Sequence, residues 1–300
     1  MNWKARLLYS QNWNIGFVEQ SMEDLLKRQK LGNINWMKHG YKDRWFADPF
    51  IYKVTDNEIV VFAEECFIAD SPKGILCELH VDRKSKQLRE RFMLLELDTH
   101  LSYPATIEHN GKTYVYPENG ASGKLNIYEY DEAHHTLVNP VCILDEAVAD
   151  STILRKNGIY YLIATHSDNS QENAFLYQSE SLLGPFTKCY EKPVQSRRDS
   201  SRPAGNWMTI SEKIYRPAQD CDKRYGGGVN MMKVDSLSPY SEQVCFHISP
   251  LGFKYNLGIH TINESSDRGL WVVDGYGYLH PVASRAWNAL SSIKQRLLRR

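Results

Sequence analysis

The chain has 300 residues, of which 42% are hydrophobic and 12% aromatic, so it can bury a large core. Lysine plus arginine and aspartate plus glutamate balance at 36 each, which leaves no global field to recruit nucleic acid, and we expect no nucleic-acid partner. The six cysteines stand singly without a CxxC pair, which argues against a zinc ribbon and favours reduced thiols in a cytoplasmic protein.

One pattern occurs five times along the chain, with copies centred near residues 48, 104, 150, 206 and 260. Each copy opens on a polar residue, continues as a hydrophobic strand, turns, and ends in a second strand with another polar group. The turns carry residues that tolerate positive φ, as expected of antiparallel hairpins: Asp56-Asn57, Asn110-Gly111, Asn157-Gly158 and Asp267-Arg268-Gly269. A repeat of about 50 residues built on hairpins is typical of a β-propeller.

Further strand-like runs lie between the copies, at 75–81, 125–130, 175–179 and 228–234. They complete about four strands per copy. The sequence therefore predicts an all-β fold, a five-bladed β-propeller over residues 1–283. A β-sandwich is the alternative, but it seldom needs about twenty strands. The run 13–19 is also strand-like and is a candidate to pair with the final blade and close the ring.

The innermost strands of a propeller line its central channel, so polar residues at matching positions converge at one mouth of it. The candidates are Asp48, Asp150 and His260 at strand starts, and Glu64, Glu65, Glu118, Asp220 and Asp274 at the ends of the following strands. Glycosyl chemistry needs carboxylates beside an oxocarbenium-like centre, which predicts a sugar site with Asp48, Glu118 and Asp150 as catalytic residues and the others binding substrate. Glu64 and Glu65 are adjacent in one strand and point to opposite faces, so at most one faces the channel. For any single aspartate, the capping of a turn is the competing interpretation.

Two arginines, Arg202 and Arg216, lie in the fourth copy on strands that are predicted to pair. Arginine binds phosphate or carboxylate in a bidentate manner, so both are candidates for substrate binding, together with Gln219, Asp220 and Tyr225. A structural salt bridge is the competing interpretation for each arginine. The glycines that follow Tyr225 lack the helix start and the Lys-Ser/Thr of a phosphate-binding loop, so we interpret them as a blade turn.

His260 stands at a repeat position beside the predicted channel, where it is a candidate metal ligand or hydrogen-bond donor. His134 and His135 lie in a polar loop, and the remaining histidines considered show no metal-ligand spacing: His80, His109, His247 and His280. The sequence therefore predicts neither a metal site nor a cofactor.

The segment 284–300 departs from the repeat. Apolar residues recur in it at helical spacing, interleaved with basic ones: Trp287, Leu290, Ile293, Leu297 and Leu298, with Arg285, Lys294, Arg296, Arg299 and Arg300. This predicts a short basic amphipathic helix whose apolar face either docks on the propeller or lies on an anionic membrane surface. Neither a signal peptide nor an apolar run of about 20 residues is recognisable. We therefore expect a cytoplasmic protein, peripheral at the inner face of the membrane if the helix binds lipid.

Ordered motifs between about residues 45 and 275 resemble one family. They are Trp45-Phe46-Ala47-Asp48-Pro49-Phe50, Phe62-Ala63-Glu64-Glu65, Ser102-Tyr103-Pro104, Tyr116-Pro117-Glu118, Asp150-Ser151-Thr152, Ser181-Leu182-Leu183-Gly184-Pro185-Phe186, Arg202-Pro203-Ala204-Gly205, Arg216-Pro217-Ala218-Gln219-Asp220, Tyr225-Gly226, His260-Thr261 and Val273-Asp274-Gly275. The chain is similar to the N-terminal domain of glucosamine inositolphosphorylceramide transferase. The resemblance implies a five-bladed propeller akin to the arabinanase, invertase and levansucrase group, and a role in glycosyl transfer.

In that wider group, an aspartate of the first blade acts as nucleophile or base and one opening the third blade steadies the transition state; Asp48 and Asp150 match these positions. The group's proton-donating glutamate has no obvious counterpart, because the fourth copy opens on Asn206. A nucleotide or phosphate leaving group needs its charge stabilised rather than a proton, and Arg202 and Arg216 suit that task. We therefore expect transfer from an activated sugar donor to a glycan or lipid-linked acceptor in cell-surface polysaccharide synthesis. A furanosidase-type glycoside hydrolase and a non-catalytic carbohydrate-binding propeller remain the alternatives.

Overall fold

The computed structural model describes residues 11–68, 73–266 and 269–298, with side chains as far as residue 290. The first elements are strand β1 (Gln11–Glu19), helix α1 (Met22–Arg28) and strand β2 (Asn35–Trp36). Blade 1 consists of β3 (Arg44–Val54), β4 (Glu58–Phe67), β5 (Gly74–Asp82) and β6 (Leu88–Leu95). Blade 2 consists of β7 (Ser102–His109), β8 (Lys112–Glu118), β9 (Leu125–Asp131) and β10 (Thr136–Leu144).

Blade 3 consists of β11 (Val148–Lys156), β12 (Ile159–His166), β13 (Ala174–Ser179) and β14 (Thr187–Lys188). Blade 4 consists of β15 (Met208–Ile210), β16 (Lys213–Asp220), β17 (Gly228–Leu237) and β18 (Tyr240–Ile248). The last strands are β19 (Ile262–Glu264) and β20 (Leu270–Tyr278), and helix α2 (Pro281–Leu298) follows them. Each blade is a four-stranded antiparallel sheet, and the fifth has the order β19-β20-β1-β2. The predicted all-β, five-bladed propeller is confirmed.

The fifth blade combines strands from both ends of the described chain. Strand β1 pairs with β20 over its whole length, from Gln11 opposite Tyr278 to Glu19 opposite Leu270. The strand-like run at 13–19 therefore does close the ring. This pairing ties the first blade to the last through backbone hydrogen bonds, so neither edge of the ring is left open.

The hydrophobic core is divided among the junctions between neighbouring blades. One cluster at the junction of blades 5 and 1 contains Phe17, Val61 and Val272, all fully buried. Similar clusters fill the junctions of blades 1 and 2, 2 and 3, 3 and 4, and 4 and 5. Because each blade buries both faces against its neighbours, the ring holds its inner strands in fixed positions around the axis.

The innermost strands of blades 1, 2 and 3 share one irregularity. Each shifts register by a bulge near its start, and each has a residue with positive φ there: Asp48 at 49°, Tyr103 at 46° and Asp150 at 47°. Residues other than glycine rarely adopt this backbone conformation. A bulge changes the direction in which the side chain of the bulged residue points. In blade 4, Gly205 has φ of 143°, and a Cβ there would meet the Ile262 carbonyl oxygen of blade 5 at 2.0 Å. The inner strands thus approach the axis closely and turn selected side chains into it.

The C-terminal helix α2 begins at Pro281, three residues before its predicted start. Arg285 of this helix donates a hydrogen bond to the Phe253 carbonyl oxygen at 2.6 Å, which fastens the first turns to the propeller. Val282 and Leu290 remain 70% and 63% exposed. Among the described helices, none is both long and apolar enough to span a bilayer.

Candidate functional site

Eight of the predicted site residues meet at the propeller axis, and we call them the central cluster: Asp48, Glu64, Glu118, Asp150, Arg202, Gln219, His260 and Asp274. All of them are buried or nearly so. The cluster has two halves, one built on His260 and the other on Arg202. Electrostatic interaction of Asp48 with Asp150 and Glu64 links the two halves.

Asp274 anchors the first half. Its Oδ1 accepts hydrogen bonds from the backbone N–H groups of His260 at 2.9 Å and Thr261 at 3.1 Å. Its Oδ2 accepts one from the backbone N–H of Asp48 at 3.2 Å. Asp274 lies on β20, so this carboxylate joins the last blade to the bulge of the first blade. We conclude that its main task is to position the residues that face the axis.

His260 lies between two carboxylates. Its Nδ1 is 2.5 Å from Oδ2 of Asp274 and 3.4 Å from Oδ1 of Asp48. The imidazole stacks on Trp13 with ring centres 3.9 Å apart. Burial works against the charged form, but the carboxylates of Asp274 and Asp48 outweigh it and raise the pKa of His260 to about 9. The imidazole is therefore a cation at neutral pH.

Asp48 is the aspartate of this half whose pKa is strongly raised. Its Oδ1 accepts a hydrogen bond of 2.5 Å from the hydroxyl of Thr261. Burial raises the pKa of Asp48 to about 7, against the opposing effect of the His260 cation. The neighbouring carboxylates, including Asp150, add to the increase. A carboxyl group that titrates near neutrality can take up a proton from a substrate hydroxyl at physiological pH.

Asp150 organises the second half of the cluster. Its Oδ2 accepts hydrogen bonds of 2.5 Å from both Nε of Arg202 and Nε2 of Gln219. Its backbone N–H donates to Oε2 of Glu118 at 3.2 Å. Gln219 also donates to the Pro203 carbonyl oxygen at 3.0 Å, so its amide is fixed on both sides. Asp150 therefore has a rigid, charge-assisted environment, in contrast to that of Asp48.

Glu118 and Tyr225 complete this half around Arg202. Nη2 of Arg202 is 3.3 Å from Oε2 of Glu118, and the guanidinium lies over the ring of Tyr225 at 5.2 Å. Burial and the Asp150 carboxylate raise the pKa of Glu118 well above its usual value, and Arg202 opposes this only in part. Glu118 therefore holds a proton more readily than an ordinary glutamate does. Tyr225 is 44% exposed, which places it at the rim of the cluster.

Glu64 and Glu65 point to opposite faces of β4, as predicted. Oε1 of Glu64 is 3.3 Å from Nε2 of His100, and this contact raises the pKa of the imidazole. Glu65 instead lies in an ion-pair network, 2.6 Å from Nη1 of Arg44 and 2.7 Å from Nε of Arg91. The structure therefore places Glu65 outside the central cluster, where it holds β3, β4 and β6 together.

Arg216 and Asp220 also lie outside the cluster. Side chains alternate along β16, and because Gln219 faces Asp150, residues an odd number of positions away face the other side. Arg216 is fully buried there and makes an ion pair with Glu242 at 2.6 Å, which is the structural salt bridge considered as the alternative. Asp220 lies 3.6 Å from His247. Of the two predicted arginines, Arg202 is thus the one that lies in the central cluster.

Asn206, which opens the fourth copy in the sequence, does not reach the cluster. It lines a cavity of about 330 Å³ at the far ends of β3 and β7. Blade 4 turns Arg202 toward the axis instead, because the segment 202–205, which precedes β15 and bridges to β16 through Pro203 and Ala218, is the part that reaches Asp150.

Three residues of the site were missed by the sequence analysis. Thr261 is bonded to Asp48, Trp13 stacks on His260, and Tyr103 occupies the same bulge in blade 2 as the aspartates do in blades 1 and 3. The alignment of the five copies could have found Tyr103. Trp13 could follow only from the register of β1 in the closed ring.

Asp48, His260 and Asp274 have ligand atoms within 4.8 Å of one another, the spacing of a metal site. In this half of the cluster, however, the carboxylates already have partners. Asp274 already accepts three backbone N–H groups, and the protonated His260 supplies the positive charge between the two carboxylates. A metal would have to displace the hydrogen bond between His260 and Asp274.

The raised pKa values predict how stability depends on pH. The pKa of His260 rises from 6.5 to about 9 on folding, so its contribution is fully present below pH 6.5 and is lost as pH rises to 9. The pKa of Asp48 rises from 3.8 to about 7, which also weakens the fold as pH rises through that range. We expect His260→Gln to flatten the decline in the free energy of unfolding between pH 6.5 and 9, measured by urea denaturation.

His134→Gln is the matched control, because this imidazole is 76% exposed. It should leave the decline unchanged. An unchanged decline in the His260 variant would contradict the assignment of a buried imidazolium.

Residues 31–256 match the family described as "Glucosamine inositolphosphorylceramide transferase 1, N-terminal". Glucosamine inositolphosphorylceramide transferase 1 of Oryza sativa subsp. japonica is 26% identical over 266 residues, which cover 84% of this chain and 33% of that protein. The protein of the same name from Arabidopsis thaliana is 27% identical over 205 residues, or 66% of this chain and 26% of that one. The chain thus spans a third or less of the length of these relatives.

Among solved structures, Zg3597, a family 117 glycoside hydrolase produced by the marine bacterium Zobellia galactanivorans, superposes with a TM-score of 0.56 at 10% identity. The match covers 89% of this chain and 90% of that one. At this identity the likeness supports the propeller fold alone.

Proposed function

The chain belongs to the family of the N-terminal region of glucosamine inositolphosphorylceramide transferase 1, and from this premise we propose that it transfers a sugar from an activated donor to a glycan or lipid-linked acceptor. The observation that carries the proposal is the pair of aspartates Asp48 and Asp150. They stand in matching left-handed bulges of blades 1 and 3, yet one faces an imidazolium and the other a guanidinium. Two carboxyl groups with different environments are suited to different tasks at one reacting carbon.

The cluster favours positive charge on a sugar ring. Five of its members are acids, whereas only Arg202 and His260 are strong cations. A transition state of oxocarbenium character develops positive charge at the anomeric carbon, and nearby carboxylates stabilise it. In the proposed arrangement, Asp150 is the fixed carboxylate that stabilises this charge, while Asp48 handles a proton.

The proposed transfer needs no reactant besides the sugar donor and the acceptor. The bond between the anomeric carbon and the phosphate oxygen of the donor breaks, and its electron pair leaves with the phosphate. The acceptor hydroxyl oxygen bonds to the anomeric carbon, and its proton passes to the carboxylate of Asp48. Arg202 is placed to meet the departing phosphate, since its contacts to Glu118 and to the Ser170 carbonyl oxygen are long, at 3.3 and 3.5 Å. Those N–H groups can turn to a phosphate.

The test is product analysis by mass spectrometry with purified protein. The donors are a panel of nucleotide-activated sugars, including glucosamine and N-acetylglucosamine forms, and the acceptors are inositolphosphoryl lipids and surface-type glycans. We expect one donor to yield a new glycoside together with free nucleotide. Product formation only as free sugar would show that water is the acceptor and would contradict transfer.

A glycoside hydrolase is the second candidate, and Glu118 favours it. Burial and the Asp150 carboxylate raise its pKa, and a carboxyl group with a raised pKa can act as the acid that protonates a departing glycosidic oxygen. Aryl glycosides separate the two functions. A hydrolase would release the aryl alcohol without any acceptor, whereas the transferase would leave these compounds intact.

Peripheral membrane contact is part of the same proposal, because a lipid-linked acceptor lies at a bilayer surface. The exposed Val282 and Leu290 of α2 lie on a helix whose sequence is basic, a combination that binds anionic lipid. We expect co-sedimentation with vesicles containing phosphatidylserine, weakened by high salt and by the double change Val282→Glu and Leu290→Glu.

Vesicles of phosphatidylcholine alone serve as the lipid control. Val244→Glu serves as the protein control, because this valine is 41% exposed on the outer strand of blade 4. Equal binding to both kinds of vesicle, or an equal effect of both substitutions, would contradict the role of α2.

A further inference from the structure

A second group of titratable side chains lies away from the central cluster, at the junction of blades 1 and 2. Glu78 and His80 belong to β5, and His135 lies in the turn between β9 and β10. Glu78 and His80 are two residues apart on a strand and so share one face. Ligand atoms of all three residues lie within 4.8 Å of one another. The sequence spacing concealed this group, because its third member comes from another blade.

Glu78 is the centre of the group. Its side chain is 2% exposed, and its Oε1 is 2.7 Å from Nε2 of His80. Its Oε2 is 3.1 Å from Nδ1 of His135 and accepts a hydrogen bond of 2.6 Å from the hydroxyl of Tyr130. A buried carboxylate needs a positive partner. The ion pairs of Glu78 within the described part of the chain are to these two imidazoles.

A second carboxylate fixes the orientation of His80. Nδ1 of His80 is 3.3 Å from Oε2 of Glu58 on the neighbouring strand β4. When Nδ1–H donates to Glu58, the lone pair of Nε2 points toward Glu78, and two acceptor atoms then face each other. A cation between them removes this conflict. A carboxylate beside the second ring nitrogen of a histidine is the outer shell that metal-binding histidines commonly have.

The backbone and a stacked aromatic ring hold the imidazole of His135 in place. His135 has a φ of 50°, in the left-handed region, at the β9–β10 turn. Its ring stacks on Phe92 of β6, with centres 3.8 Å apart and planes 6° from parallel. The stacking and the turn leave the imidazole with one orientation, in which Nδ1 faces Glu78.

We propose that this junction binds a divalent transition-metal ion, with Zn²⁺ the best match, through Nε2 of His80, Nδ1 of His135 and a carboxylate oxygen of Glu78. Two imidazoles with one carboxylate are a recognised zinc donor set and exclude the oxygen-preferring Mg²⁺ and Ca²⁺. Zinc bonds of about 2.0–2.1 Å separate tetrahedral ligand atoms by about 3.3 Å. Nε2 of His80 lies 2.7 Å from Oε1 of Glu78, and Nδ1 of His135 lies 3.1 Å from Oε2. These contacts must lengthen by up to about 0.6 Å to reach that separation.

The ion would add a metal link between two blades that already meet through side-chain packing and through the hydrogen bond from Tyr130 to Glu78. Its ligands come from β5 of blade 1 and from the β9–β10 turn of blade 2, so binding links the outer strands of neighbouring blades. This site is separate from the central cluster, and its test does not depend on the proposed enzymatic activity.

The test is Co²⁺ and Zn²⁺ binding by the full chain after dialysis against a chelator. We expect one Co²⁺ per chain, visible d–d absorption without a thiolate charge-transfer band, displacement by Zn²⁺, and a higher melting temperature in Zn²⁺. His135→Asn should abolish binding, since asparagine tolerates the left-handed turn but lacks the imidazole. Glu58→Gln should weaken it by about 10- to 100-fold.

His134→Asn is the matched control, because the neighbouring His134 is 76% exposed and pairs with Asp131. Circular dichroism establishes that each variant is folded. The proposal is overturned if the unaltered chain takes up no Co²⁺, if His135→Asn binds as the unaltered chain does, or if a thiolate band shows that the ion sits on a cysteine. In the first case the junction is held by the hydrogen bonds between Glu78 and the two imidazoles without an ion.

Discussion

Asp48→Asn is expected to lower the rate of sugar transfer by about 10³-fold, within the range that a positioned proton acceptor contributes. Asparagine has nearly the same shape and can still accept the hydrogen bond from Thr261, so the propeller should fold. It cannot take up a proton from the acceptor hydroxyl. The measurement is the initial rate with the donor and acceptor identified by product analysis, on protein whose melting curve matches that of the unaltered chain.

Asp56→Asn is the control for this substitution, since it makes the same chemical change in an exposed turn of the same blade. Its rate should be unchanged. If Asp48→Asn keeps the full rate, Asp48 is not the base. If ligand affinity also survives neutral replacements at Asp150 and Glu118, the non-catalytic sugar-binding propeller becomes the better description.

The pH profile of the rate adds an independent check on the same residue. Because the pKa of Asp48 is about 7, the fraction of ionised carboxylate rises through neutral pH, and the rate should rise with it. The pKa of His260, about 9, sets the upper limit at which the neighbouring cation persists. The ionised carboxylate of Asp48 and the cation of His260 are therefore present together mainly between about pH 7 and about pH 9.

Much of the fold could be predicted from the sequence because the evidence is local. Hairpin turns and alternating strands repeat in every blade, and the strand character of 13–19 was enough to suggest closure. The opposite faces of Glu64 and Glu65 also follow from strand geometry alone. The pattern could not show which of the two glutamates faces the channel, because the partners of Glu65 lie on β3 and β6 and not in its own strand.

The site was harder to predict because its contacts join blades that are far apart in sequence. Arg202 and Arg216 have similar motifs, yet one bridges Asp150 and Glu118 while the other pairs with Glu242 inside its own blade. The alternation along β16 decides between them, and that alternation needs the register. The five-copy pattern also placed blade 4 at Asn206, because it could not reveal that the segment before β15, at 202–205, is the part that approaches the axis.

Replacement of Arg202 should have the largest effect on stability in the site. Arg202→Met removes the guanidinium that lies 2.5 Å from Asp150 and leaves two buried acids, Asp150 and Glu118, side by side. Breaking a buried ion pair by removing one partner costs on the order of 3–5 kcal/mol, and we expect a loss of about this size in the free energy of unfolding. The measurement is urea denaturation at neutral pH.

Arg198→Met is the control, because Arg198 is 42% exposed and pairs with Glu172 near the surface. Its effect should be below about 1 kcal/mol. Arg202→Lys keeps the charge but lacks the planar group that reaches both acids, so an intermediate loss is expected.

The double variant Asp150→Asn with Arg202→Met tests whether Arg202 stabilises the fold through its ion pair with Asp150. If the two residues stabilise each other, removing both charges costs less than the sum of the single changes. Additive losses would mean that Arg202 stabilises the fold through its other contacts, to Glu118 and to the Ser170 carbonyl oxygen, and not through Asp150. The guanidinium could then turn to a donor phosphate without an energetic penalty at Asp150.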